Sequence, residues 1–119
     1  MIKSNLIQDK TFQFSLDMIA FCKQLKTLKE FEIASQLLRS STSIGANVAE
    51  AGAGSSRKDF ISKMKIASKE ARETYYWLRL ISSAQIVKIN MDHHLRSIED
   101  IVKILTSIVK TSEKKKTWE

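Results

Sequence analysis

The sequence predicts an all-α protein, an antiparallel up-down-up-down four-helix bundle, and three observations carry that reading. Proline is absent and glycine occurs only three times in 119 residues, at positions 45, 52 and 54; an all-β chain of this length would need many more turn residues. Apolar side chains recur every three or four positions through four long stretches, the period of one helix face. Short connections between the stretches favour antiparallel neighbours. The length leaves room for a single domain, residues 1–119.

The first helix is expected over about residues 9–28. Phe14, Met18, Phe21, Leu25 and Leu28 form its core stripe, widened by Phe12, Ile19 and Cys22. The turn falls at Lys26–Lys29, although neither glycine nor proline marks it. The second helix is expected over 31–52, with Ala34, Leu37, Leu38, Ser41, Ile44, Gly45, Val48 and Ala51 at helical spacing. That pattern runs straight through RSSTSIGANVAE, a stretch whose composition alone suggests a loop. The helix should end at Gly52-Ala53-Gly54, where glycine can take the left-handed conformation of a helix C-terminus. Ser56 is a candidate cap for the third helix, with Asp59 three residues on.

That third helix is expected over 57–84, its core stripe Phe60, Met64, Ala67, Ala71, Tyr75, Leu78 and Ile81. Asn90 should cap the fourth, over 91–112, which carries Leu95, Ile98, Val102, Leu105 and Val109 with Ile101, Ile104 and Ile108 beside them. The tail, 113–119, is expected to be disordered. Ile66, Trp77 and Leu80 sit on a flank of the third helix beside its core stripe, where either a wide core in a monomer or self-association would bury them.

Composition narrows the function classes. A single cysteine, Cys22, excludes an intrachain disulfide and reads as a small core hydrophobe. The N-terminal MIKSNLIQDK lacks the apolar run of a secretory signal, and no apolar stretch reaches membrane-span length, so a cytoplasmic protein with no membrane partner is expected. Formal charge is +7, from 20 basic and 13 acidic residues. On the third helix, positions 58, 62, 65, 69, 72, 76 and 79 share a face and read Lys58, Ser62, Lys65, Lys69, Arg72, Tyr76, Arg79. A rigid row of cations can track a phosphate backbone; the alternative is a solvated face balanced by Asp59, Glu70 and Glu73 one turn aside. Lys114, Lys115 and Lys116 could extend the row.

Arg39, Ser43, Asn47 and Glu50 form a polar stripe on the second helix. With Gly45, which lets backbones approach, they are expected to bond and pack between helices. SIGANVAEAGAG does not read as a phosphate loop, since it lacks the GK[ST] ending, a preceding strand and the GxGxxG spacing. Nor does a metal or catalytic constellation emerge. His93 and His94 are adjacent, with diverging side chains expected, no glutamate precedes a histidine by three, and Cys22 has no evident base. No catalytic residue, cofactor or metal is expected.

The segment QLLRSSTSIGANVAEAGAGSSRKDFISKMKIASKEARETYYWLRLI, from Gln36 to Ile81, with ILTSIVKT and FSLDMIAFCKQL, resembles the four-helix-bundle proteins encoded in intervening sequences of bacterial 23S rRNA genes. The resemblance covers nearly the whole chain and rests on LLRSxTSIGANxAEA, RKDFI and KEARETxYWL. It implies a left-handed bundle assembled as a ring-like homopentamer, with the flank of Ile66, Trp77 and Leu80 as a subunit contact. It also implies kinship with accessory proteins of diversity-generating retroelements, where a basic pentamer binds nucleic acid and a reverse transcriptase. The matching polar residues are Arg39, Ser40, Ser43, Asn47, Glu50, Lys58, Asp59, Glu70, Arg72, Glu73 and Trp77, and none is catalytic in that family. AGAGSS after Glu50 departs from the family's longer polar versions.

Two functions are therefore expected in competition. One is a non-enzymatic oligomer binding RNA or DNA through Lys58, Lys65, Lys69, Arg72 and Arg79. The other is an accessory module docking a protein, such as a reverse transcriptase or ribosomal factor, without touching nucleic acid.

Overall fold

A computed structural model describes the backbone of residues 2–54 and 56–118 and the side chains of 6–54 and 56–114. It is all-α: α1 (Ile2–Thr27), α2 (Phe31–Gly52), α3 (Arg57–Ser83) and α4 (Asp92–Trp118). Cross-helix neighbours fix the directions. Gln8 lies by Gly52 and Thr11 by Gly45, while Cys22 Sγ donates to the Ala34 carbonyl at 3.5 Å. On the next pair, Arg39 meets Glu70 and Ser40 meets Thr74; on the third, Lys65 meets Glu113. Lys10–Asp100 and Phe21–His94 close the ring. Between α1 and α2 the paired numbers fall on one helix as they rise on the other, so these two run antiparallel, and α1 and α4 do likewise. The rod measures 51 × 22 × 22 Å.

Met18, Leu25, Leu37, Ile44, Met64, Leu78, Ile81, Ile98, Ile101 and Leu105 fill the axis and are fully buried. The α1–α4 side packs most sparsely of the four.

Helix ends depart from expectation in instructive ways. α1 begins at Ile2 rather than near Asp9, and buried Ile7 continues the core stripe two turns upstream of Phe14. α4 runs to Trp118, and toward its end Glu113 pairs with Lys65 at 2.8 Å. No described glycine has positive φ; that conformation falls on Lys29 (φ 64) and Gln85 (φ 54). At both, the following N–H reaches back five residues (Glu30 to Leu25, Ile86 to Ile81), and the residue itself bonds three back, to Lys26 and Ser82. These are Schellman closures built without glycine. Gly54 serves instead by being small, since a Cβ there would sit 3.2 Å from the Ala51 carbonyl oxygen.

Two caps use side chains. Ser56 Oγ accepts the Asp59 N–H at 3.1 Å, and Asn90 Oδ1 accepts the Asp92 N–H at 2.8 Å. Each satisfies a donor that the first helical turn leaves without an intrahelical partner.

α1 carries apolar residues on nearly every face, and its buried stripe is narrower than expected. Phe12 (66% exposed), Leu16 and Ile19 form a strip on the outside, on the shoulder turned toward α2. Leu28 and Ile104 are exposed as well. Leu28 lies past the end of α1, where the stripe no longer has a helix to carry it.

Candidate functional site

α3 presents two unlike shoulders. Against α2 lies a polar seam centred on Glu70, only 8% exposed. Arg39 forks between Glu70, at 3.1 Å, and Glu73. Glu73 Oε2 also accepts the Trp77 indole N–H at 3.0 Å. Deeper in, the Thr74 hydroxyl lies 2.9 Å from both Ser40 Oγ and the Glu70 carbonyl oxygen. A nearly buried carboxylate is tolerable because guanidinium charge reaches it. Above this seam Phe31, Glu32, Ile33, Ser35, Gln36 and Trp77 line a shallow depression of about 550 Å³.

The polar stripe of α2 divides. Arg39 bonds across to α3, but Ser43 and Asn47 bond to each other: Asn47 Nδ2 donates to the Ser43 carbonyl at 2.9 Å and to Ser43 Oγ at 3.1 Å. Residues four apart on a helix are already within reach, so the local bond wins over one to a neighbouring helix. Glu50 is exposed and makes no bond to another helix among the described contacts. Gly45 lies against α1, where a Cβ would meet Ser15 Oγ and the Thr11 carbonyl oxygen at 3.3 Å each.

Toward α4 the shoulder is basic. Lys58, Lys65, Lys69, Arg72 and Arg79 are all exposed, and no carboxylate of α3 stands in their row. Three are steered by single contacts. Lys65 pairs with Glu113, Arg72 donates to Ser68 Oγ at 2.8 Å, and the Arg79 guanidinium sits 5.7 Å from the Tyr75 ring centroid. Such surface contacts contribute roughly 0–1 kcal/mol and yield readily to a phosphate. Lys114 is exposed; Lys115 and Lys116 lie outside the described side chains. Missed from the sequence were Arg96, Lys103 and Lys110, exposed along α4. Their seven-residue spacing was the available signal, obscured by Asp92, Glu99 and Asp100 around them.

Two further titratable groups are shifted by their surroundings. Burial pushes the Cys22 thiol up to about 11, against the pull of Lys26. His94 is held below the usual histidine range by burial first, then by His93, with Asp17 acting in opposition. Its Nδ1 is buried with no hydrogen-bond partner among the described residues. The His93 and His94 rings do not diverge as expected but lie 5.7 Å apart. No group of three metal-ligating side chains occurs among the described residues, and no described helix is long and apolar enough to cross a membrane.

Fold and surface together define a helical bundle with one basic shoulder. The chain belongs to the 23S rRNA-intervening sequence protein family, whose model matches residues 3–107. A crystal structure of a protein of unknown function from the S23 ribosomal protein family of Bacteroides thetaiotaomicron is similar: 41% identical, TM-score 0.85, covering 91% of this chain and 98% of that one. Neither description names an enzymatic activity. No curated protein matches the chain.

Proposed function

We propose that the protein is a non-enzymatic, self-associating bundle that binds RNA through the α3–α4 shoulder. The observation that carries this reading is the row Lys58, Lys65, Lys69, Arg72, Arg79, exposed on one rigid helix with no carboxylate of α3 in the row. A family named for 23S rRNA supports RNA as the polyanion and a bacterial cytoplasmic setting. Self-association, as a homopentamer by family resemblance, is supported by apolar surface on both sides of α2: Phe12, Leu16 and Ile19 on α1, and Ile66, Leu80 and half-buried Trp77 on α3.

The test is fluorescence anisotropy of a labelled RNA hairpin at 50 and 200 mM salt. Affinity should fall steeply with salt, and Lys65→Glu with Lys69→Glu and Arg72→Glu should weaken it at least tenfold. Absence of binding at 50 mM, or indifference to the charge reversal, removes the reading. The α1 strip favours a second one, an accessory module docking a protein such as a reverse transcriptase or ribosomal factor. A partner retained on the protein after nuclease treatment, and lost with Leu16→Lys, would support it.

A further inference from the structure

We propose that the basic shoulder takes double-helical nucleic acid laid along α3, in preference to a single strand; this rests on the nucleic-acid reading above. Four of the five cations in the row, Lys58, Lys65, Arg72 and Arg79, recur every seven residues along an uninterrupted helix. Seven residues rise about 10.5 Å, so the row places a cation at each such step over about 32 Å. It drifts round the helix by only about 20° per step. Lys69 thickens the middle. Along α4, Arg96, Lys103 and Lys110 repeat the same interval, and packed helices lie about 8–10 Å apart. The shoulder is thus a ruled surface of fixed charges.

A stiff polyanion fits such a surface better than a flexible one. A duplex strand returns to the same side after one turn, about 34–36 Å in DNA. Lys58 and Arg79, at the ends of the row, can therefore approach one strand on successive turns. Lys65, Lys69 and Arg72 between them approach the opposite strand. Neither partner loses much conformational freedom, because both are rigid before they meet.

Single strands are held differently, in charged grooves where bases stack on aromatic rings. This shoulder offers little of that. Tyr76 is its exposed aromatic; Tyr75 has Arg79 over its ring, and Trp77 turns to Glu73 on the other shoulder. Contact through phosphates alone also implies little dependence on base sequence.

Anisotropy with a 20-bp RNA duplex, a 20-bp DNA duplex and each labelled strand alone provides the test. The better duplex should bind at least tenfold more tightly than its own strand. It should lose roughly a hundredfold in affinity between 50 and 200 mM salt if four phosphates are neutralised. Lys58→Glu with Arg79→Glu, both exposed, should abolish the duplex preference while changing single-strand affinity less than threefold. Circular dichroism checks that the variant stays helical. Equal affinity for strand and duplex, or a preference for the strand, overturns the proposal and leaves nucleic-acid binding standing. Failure of all four probes at 50 mM overturns both.

Discussion

Gly45 shows how a single missing methyl sets a helix spacing. A mid-helix glycine costs about 1 kcal/mol against alanine, yet a Cβ here would meet the Thr11 carbonyl oxygen, on backbone that cannot swing aside, at 3.3 Å. Gly45→Leu should therefore destabilise by about 1–3 kcal/mol through overpacking, read as a lower midpoint in urea; an unchanged midpoint would mean that α1 can yield there. His94 makes the corresponding case for charge. Its imidazole packs 5.0 Å from the Phe21 ring and titrates below its unfolded value. The unfolded chain takes the proton first as pH falls through about 6.5, so stability held at neutral pH is lost on acidification. Thermal melts between pH 7 and 5 should fall more steeply for the native protein than for His94→Leu, and parallel curves would refute the assignment.

Helix ends show what could be read from the sequence and what could not. Ser56 and Asn90 were legible because a side-chain oxygen two or three residues ahead of an orphan N–H leaves a signature in residue type. Lys29 and Gln85 were not, because a Schellman closure is a backbone pattern that any residue can adopt at some cost. The left-handed conformation costs a residue with a Cβ about 1–2 kcal/mol. Lys29→Gly and Gln85→Gly should each stabilise by up to about 1 kcal/mol, measured by denaturant unfolding, with Gly54→Ala as a contrasting loss. α1 misled for a different reason: with apolar residues on nearly every face, periodicity alone does not say which stripe turns inward, and Phe12 and Ile19 went to the wrong side. Ser43 and Asn47 were ambiguous in principle, since one spacing serves a bond within the helix and a bond across.

At the scale of the whole molecule, apolar and basic surfaces are segregated. Apolar side chains flank α2, whereas cations occupy the shoulder where α3 meets α4. The basic row of α3 was legible because like charge at helical spacing survives in the sequence; its continuation on α4 was masked by neighbouring acids. If the apolar side is the subunit contact, Ile66→Lys with Leu80→Lys should reduce the mass measured by sedimentation to that of a monomer while leaving helicity intact. An oligomer of unchanged mass would move the contact elsewhere, with Phe12, Leu16 and Ile19 next in line.

The sparse α1–α4 side bears on how the chain folds. Every other interface joins helices consecutive along the chain, and such local hairpins form quickly because little loop entropy opposes them. Meeting of the first and last helices is the one distant closure, and it has the least packing to reward it. The bundle can thus assemble as three hairpins in series and close late. In the native state, amide exchange should be fastest along that same side, where opening disturbs the fewest contacts.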